Sequence, residues 1–160
     1  MDRRPQGTQA HAAGRPEKRG KKIDFPRIPF TSGDNLFKTT ADLGKKLADL
    51  HLLKSQELDP PLAKFQGKGD HKVDKVRYVD GRVYINADQY FEGIPSEVWE
   101  FQIGGYQVCD KWLKDRKGRS LSLAEIKQYC RIATSIGKTI KIQDEIDKFF
   151  PKIEKKTLEF

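Results

Sequence analysis

Two stretches of this chain space their apolar residues as a helix does, and an alternating stretch lies between them. In the first stretch, leucines and alanines recur on one side of an expected helix over Leu36–Leu53. The stripe consists of Leu36, Ala41, Leu43, Leu47, Ala48 and Leu50. Ser32 or Asp34 suits the N-cap, where a short side chain accepts a hydrogen bond from a free backbone N–H. His51 suits the negative end of the helix dipole.

The second helical stretch is longer and begins with a recognisable start signal. Ser122-Leu123-Ala124-Glu125 has the form of a capping box, and Leu121 and Ile126 are placed as its hydrophobic staple. The apolar stripe that follows consists of Ile126, Tyr129, Cys130, Ala133, Ile136 and Ile140. The pattern predicts a helix that continues towards Phe149. We expect it to end at Pro151, because proline has no backbone N–H to continue the bonding.

Between the helices, the alternating segment Val76–Ile85 predicts a β-hairpin with its turn at Asp80-Gly81. A two-residue turn fixes which residues lie opposite each other on the two strands. One face then carries the apolar residues Val76, Tyr78, Val83 and Ile85, and the other carries Arg77, Val79, Arg82 and Tyr84. The apolar face belongs on the core, and the second face places two arginines beside an aromatic ring.

The centre of the chain is less regular. Val98–Ile103 alternates apolar and polar residues and predicts a third strand, although a short helix starting at Ser96 is an alternative. Tyr106–Lys117 predicts a helix stopped by Gly118. Its apolar stripe consists of Tyr106, Cys109, Trp112 and Leu113.

Two segments rich in proline or glycine predict connections rather than regular elements. Ile23–Thr31 contains two prolines, which bias the residues before them to extended backbone. We therefore predict an extended segment, a strap, and not a helix. Lys54–His71 contains Asp59-Pro60-Pro61 and predicts a loop. The elements together predict one α+β domain over residues 23–150, with a small, mostly antiparallel sheet packed against two or three helices. Residues 151–160 form a C-terminal tail in this interpretation.

The charge changes this picture mainly at the N-terminus. The net charge is +8, and residues 1–22 hold seven Lys and Arg residues against two acidic residues. This composition predicts a disordered basic tail, either a DNA-binding arm or a solvated extension. No apolar stretch has the length of a membrane span or the form of a secretory signal, so we expect a cytoplasmic location and no membrane partner.

The sequence contains no arrangement that indicates a catalytic, metal or cofactor site. The two cysteines and three histidines are scattered, whereas a zinc site needs about four clustered ligands. Both cysteines are expected to be reduced core residues. Asp59-Pro60-Pro61 resembles an amino-methyltransferase motif, but Leu62 stands where an aromatic would stack on the base. We therefore interpret it as a rigid linker.

Two groups of residues could instead bind nucleic acid. The candidate phosphate contacts are Lys111, Lys114, Arg116, Lys117 and Arg119. Cations also collect at helix ends because of the dipole, and the two explanations weigh equally on physical grounds. The candidate base-reading residues are Tyr84, Asn86, Gln89, Tyr90 and Gln102. Their side chains can bond base edges, although ordinary turn and strand-end roles explain them at least as well.

Several motifs resemble the C-terminal specificity domain of type ISP restriction–modification enzymes. They include Phe25-Pro26-Arg27-Ile28-Pro29, Gly81-Arg82-Val83-Tyr84-Ile85-Asn86 and, most specifically, Ile103-Gly104-Gly105-Tyr106 followed by Lys111-Trp112-Leu113-Lys114-Asp115-Arg116. The resemblance covers about residues 23–147. In that family of bacterial DNA adenine methyltransferase–nucleases, this region is the target-recognition domain.

The resemblance implies a sequence-specific duplex-DNA-binding domain without catalytic activity of its own. The nuclease, ATP-driven translocase and methyltransferase domains would lie upstream, so S-adenosylmethionine and ATP with magnesium would bind there and not in this chain. A separately encoded methyltransferase/translocase polypeptide is a further expected partner. The alternatives are a non-functional remnant of such an enzyme and a nonspecific nucleic-acid- or protein-binding module.

Overall fold

A computed structural model of the chain describes residues 33–155, with side chains to residue 152. The expected basic tail, the Ile23–Thr31 strap and Ser32 lie outside the described residues. The elements in chain order are α1 (Asp34–His51), a 3-10 helix (Gln56–Leu58), β1 (Lys64–Gln66), β2 (Arg77–Val79), β3 (Arg82–Tyr84), β4 (Tyr90–Glu92), α2 (Ser96–Glu100), β5 (Gln102–Ile103), β6 (Tyr106–Gln107), α3 (Val108–Lys114) and α4 (Leu123–Lys155). The expected α+β class is confirmed. In the described residues, no helix is long and apolar enough to span a membrane.

The two long helices pack against each other through leucines of the predicted stripe of α1 and through polar residues of α4 that lie outside its predicted stripe. α1 buries Leu43 and Leu50, and the Ser135 hydroxyl of α4 donates to the Leu50 carbonyl oxygen at 2.9 Å. Gly33, rather than Asp34, occupies the N-cap of α1 and provides no side-chain bond, so that expectation is wrong. His51 is the last residue of α1, as expected.

The capping box at the start of α4 is confirmed. The backbone N–H of Ser122 donates to Glu125 Oε2 at 3.0 Å, and the N–H of Glu125 donates to Ser122 Oγ at 3.2 Å. The expected end at Pro151 is wrong, because the helix continues through it to Lys155. A proline removes one backbone bond, and a helix that is already long can be kept by its remaining bonds.

The main sheet has four antiparallel strands in the order β1-β4-β3-β2. The hairpin register is the predicted one, with Tyr78 opposite Val83 and Arg77 opposite Tyr84. Asp80 and Gly81 have φ angles of 45° and 78°, which the mirror-image turn of a two-residue hairpin requires. Gly81 adopts this conformation without the strain that a side chain would cause.

The inner face of the sheet covers α4. Val83, Ile85 and Phe91 are fully buried, and the Phe91 ring lies 4.3 Å from the Tyr129 ring of α4. Val76 and Tyr78, the other two residues of the predicted apolar face, are half-buried against this cluster. Burying a side chain of this size stabilises a fold by about 1.5–3 kcal/mol, so the sheet is held mainly by this contact.

Two further sequence-based assignments are wrong. Lys54–His71 is not only a loop, because it contains the 3-10 helix and β1, an edge strand that pairs with β4. Val98–Ile103 is not one strand: α2 occupies residues 96–100, as the alternative of a short helix from Ser96 predicts, and only Gln102 and Ile103 are a strand, in β5. Six alternating residues are too few to separate the two periods. Here the helix places Val98 in the core, and the Trp99 ring stacks on Tyr78 at 5.4 Å.

The helix expected over Tyr106–Lys117 is shorter than its pattern suggests. α3 covers Val108–Lys114, and Tyr106 belongs instead to β6, which pairs with β5 in a small hairpin. Cys109 and Leu113 are buried and Trp112 is half-buried, whereas Tyr106 is exposed. Cys109 and Cys130 are free, buried thiols, and burial raises the pKa of each to about 11.

Candidate nucleic-acid interface

The outer face of the main sheet presents two arginines, each beside a tyrosine ring. We call Arg77, Arg82, Tyr84 and Tyr90 the basic aromatic face. The Arg77 guanidinium lies 5.1 Å from the centre of the Tyr84 ring, and that of Arg82 lies 5.4 Å from the Tyr90 ring. The two rings are 5.0 Å apart. The antiparallel register produces this arrangement, because it places Arg77 opposite Tyr84 and Tyr84 opposite Tyr90.

The rest of this face is polar and carries an excess of positive charge. Its other outward residues are Lys64, Gln66, Val79 and Glu92, so the face holds three cations and one carboxylate. The Gln66 amide donates to Glu92 Oε1 at 2.7 Å, which occupies part of that carboxylate. The nearby Tyr84 hydroxyl is the main cause that raises the pKa of Arg82, and Tyr90 adds to it. Arginines and tyrosines on an exposed sheet can bond phosphates and base edges.

Asn86 and Gln89 form the framework of the loop between β3 and β4. Asn86 Oδ1 accepts from the backbone N–H groups of Asp88 and Gln89 at 3.0 and 2.8 Å. Gln89 is only 1% exposed, and its Oε1 accepts from the N–H of His71 at 2.9 Å. These bonds give both amides a structural role. Contact of Gln89 with a base would therefore require the loop to open.

Residues 71–74 join this loop to the basic residues that follow α3. On one side, the Asn86 amide donates to the carbonyl oxygen of Lys72 at 3.0 Å. On the other side, the N–H of Val73 donates to the carbonyl oxygen of Arg119 at 2.9 Å, and the N–H of Gly118 donates back to that of Val73 at 2.7 Å. Two groups of candidate residues that lie far apart in the sequence are thereby brought together at one end of the sheet.

The five candidate phosphate contacts differ in how free they are. Lys111 pairs with Asp115 at 2.9 Å and Lys114 pairs with Asp110 at 2.6 Å, both one turn apart on α3. The exposed pair of Lys111 contributes less than about 1 kcal/mol, so this lysine can exchange its partner for a phosphate. Asp110 is only 16% exposed, so Lys114 is held more firmly than Lys111. Lys117 is exposed and forms no ion pair with another residue of the described part of the chain.

The two arginines of the cluster are held by Glu125, the acidic residue of the predicted capping box. Arg116 lies 3.5 Å above the Trp112 ring, donates to the Trp112 carbonyl oxygen at 2.9 Å and donates through Nε to Glu125 at 3.2 Å. Arg119 donates to the same oxygen of Glu125 at 2.8 Å. The sequence gives no signal for these pairs, because the partners are six to nine residues apart across a turn.

Gln102 lies apart from these groups. It is exposed in β5, opposite Gln107. Asp59, from the proline motif, lies against α4, where its carboxylate is 3.8 Å from Arg131. No group of three potential metal ligands occurs among residues that the structure describes.

An α+β domain with an exposed basic and aromatic sheet face has the features of a nucleic-acid-binding module. The family comparison is more specific. A family model described as the Type ISP C-terminal specificity domain matches residues 22–145. The chain belongs to this family. No curated protein matches the sequence.

Two solved structures share the fold. One is a nuclease-deletion mutant of the Type ISP restriction–modification enzyme LlaGI in complex with a DNA substrate mimic, with 19% identity and a TM-score of 0.51. The other is the ATP-dependent Type ISP enzyme LlaBIII bound to DNA, with 20% identity and a TM-score of 0.53. Each match covers 76% of this chain but only 13% and 9%, respectively, of the solved chains.

Proposed function

We propose that this chain is a DNA-specificity module that recognises a target sequence in duplex DNA and directs a DNA adenine methyltransferase of a restriction–modification system. The basic aromatic face is the observation that carries this proposal. Both of its guanidinium groups are exposed and lie beside tyrosine rings, where each can bond a phosphate or the edge of a guanine. Membership in the specificity-domain family and the DNA complexes of the two similar enzymes support the same conclusion.

In this proposal, the two candidate surfaces have different tasks. The lysines of α3 and the turn after it neutralise phosphates, which positions the duplex but carries no sequence information. The basic aromatic face and the end of the sheet near Asn86 lie against the base edges and provide the discrimination. Gln89 supports this surface from beneath instead of touching the bases.

The catalytic steps are assigned to other domains or to a separately encoded methyltransferase/translocase polypeptide. S-adenosylmethionine and ATP with magnesium would bind there. Isothermal titration of this chain with S-adenosylmethionine should therefore give no micromolar binding. Such binding would favour a self-sufficient methyltransferase over a specificity module.

Selection from a randomised duplex pool at low salt tests the proposal, because the pool contains every short target sequence. We expect the 160-residue chain to enrich one short motif. R77A/R82A should lose the enrichment. The control K45A/K46A removes the same charge from the exposed side of α1 and should keep it. Binding without enrichment of any motif would support the alternative of a nonspecific module, and no binding to any duplex would reject a DNA-binding function for this chain.

A further inference from the structure

The small β5–β6 hairpin projects two apolar side chains into solvent. Ile103 and Tyr106 lie directly opposite each other in the register, and they are 59% and 63% exposed. Their neighbours on α2 and α3, such as Val98 and Cys109, are buried. The exposed pair therefore lies outside the hydrophobic core.

The turn between these two residues extends away from the rest of the domain. Gly104 and Gly105 have φ angles of 59° and 84°, as a tight two-residue turn requires. A methyl group placed on either glycine would meet no atom within 4 Å. The tip is thus narrow, and nothing in the described residues covers it.

The surroundings of the tip are polar and charged, with two lysines that are each paired with an aspartate. Gln102 and Gln107 form the base of the hairpin, and the Lys111 ammonium lies 5.7 Å from the centre of the Tyr106 ring. Lys111 and Lys114 line the same shallow cleft as Tyr106, on the exposed side of α3. The pair of Lys111 with Asp115 is exposed and weak enough to exchange for a phosphate, whereas the exposed Lys114 must leave Asp110, which is only 16% exposed.

The distances fit a duplex that lies along α3. This helix has seven residues, and with its rise of about 1.5 Å per residue it separates the hairpin from the turn that carries Lys117 by about 10 Å. That length corresponds to about three base pairs, since successive pairs are about 3.4 Å apart. One duplex can therefore contact the tip, the two lysines of α3 and Lys117 together.

We infer that the β5–β6 hairpin is a wedge that inserts Ile103 and Tyr106 at a base step of duplex DNA, while Lys111 and Lys114 neutralise the adjacent phosphates. Apolar side chains that enter between base pairs unstack and kink the duplex in this way. A protein partner fits less well, because stable protein interfaces need a broad surface of about 800 Å² on each side, whereas this tip offers two side chains. The inference rests on the proposed function and adds a deformation step to it.

The test compares the affinity of the intact 160-residue chain for two duplexes of about 30 base pairs, one fully paired and one with a single central mismatch. A mismatched step is already partly unstacked, so the wild-type chain should bind it about tenfold more tightly. I103S/Y106S should lose this preference. Two controls separate the causes: F37S removes an apolar side chain on α1 that is 55% exposed, and K114A/K117A removes two cations.

F37S should behave as the wild type, and K114A/K117A should weaken binding to both duplexes equally while keeping the preference. Circular dichroism and thermal melting check that each variant is folded. Equal affinity of the wild type for the two duplexes, or a preference that survives in I103S/Y106S, would overturn the wedge but leave the proposed DNA binding intact. If the wild type binds neither duplex, both the wedge and the proposed function are rejected.

Discussion

The carboxylate of Glu125 closes the N-terminus of α4 and at the same time accepts a hydrogen bond from Arg116 at 3.2 Å. Arg119 donates to the same oxygen that Arg116 contacts. One side chain therefore joins the start of the longest helix to the turn that carries the candidate phosphate contacts. Glu125 therefore caps α4 and also fixes the position of the basic turn relative to the sheet.

The first prediction concerns the pH dependence of stability. The hydrogen bond from the backbone N–H of Ser122 is the largest cause that lowers the pKa of Glu125, and together with the Ser122 hydroxyl, Arg116 and Arg119 it brings this pKa to about 2. A carboxylate with a lowered pKa in the folded state stabilises the fold above its ordinary pKa of 4.5, and this contribution is lost as the pH falls towards 2. Thermal melts between pH 7 and about 2 should therefore show a steeper acid loss for the wild type than for E125Q. Parallel curves for the wild type and E125Q would show that the acid loss of stability does not come from Glu125.

The second prediction concerns the contact between the sheet and α4. Phe91 is fully buried and touches both Phe65 and Tyr129. F91A should lower the free energy of unfolding by about 3–5 kcal/mol, because it removes apolar contact and leaves a cavity. The control V79A, on the outer face, should stay within about 0.5 kcal/mol. Chemical denaturation measures the free energy of unfolding of both variants. If F91A destabilises the protein as little as V79A does, Phe91 is not part of the core.

The third prediction separates two glycines by their backbone. Gly81 has a φ of 78° in the hairpin turn, so G81A should cost about 1–2 kcal/mol. Gly44 lies inside α1, where a methyl group would meet nothing within 4 Å. G44A should therefore stabilise the protein by about 0.5–1 kcal/mol, because glycine is the more flexible residue in the unfolded chain. Opposite signs in denaturant titrations are the expected result, and a shared sign contradicts the turn assignment.

The fourth prediction distinguishes support of the interface from contact with bases. Q89A removes the acceptor of the His71 N–H and of the Asn86 amide, so it should destabilise the fold by about 1–3 kcal/mol. Y84F removes only a hydroxyl on the basic aromatic face and should leave the melting temperature unchanged. If that hydroxyl reads a base, Y84F should change discrimination at one position by about 1–3 kcal/mol. Binding assays against single-base variants of the selected motif decide this, and an unaltered preference excludes Tyr84 from base reading.

The fifth prediction concerns the phosphate contacts. If Lys117 binds a phosphate, K117A should weaken binding equally for all sequences and reduce the slope of log affinity against log salt by about 0.9. The same reduction is expected for K111A and K114A if these lysines leave their aspartates to bind phosphates. Shift assays at several salt concentrations measure the slope. An unchanged slope in all three variants would return these lysines to the role of ordinary helix-end charges.

The elements that could be predicted from the sequence are those determined by neighbouring residues. The capping box needs only Ser122 and Glu125, and the hairpin register follows from the Asp80-Gly81 turn and the alternation on either side. The apolar stripe of α4 likewise follows from helical spacing alone. In each case the interacting groups are at most a few residues apart, so the local sequence pattern is enough to predict the element.

The tertiary structure decided the features that depend on partners far away in the sequence. β1 exists because the distant strand β4 pairs with it, with Phe65 opposite Phe91. The helical form of residues 96–100 likewise depends on the core that receives Val98. The site shows the same division. Its residue types are visible in the sequence, but the burial of Gln89 and the capture of Arg116 by Glu125 are not. Hydrogen bonds and burial depend on which residues are close together in space, and a single sequence does not show this.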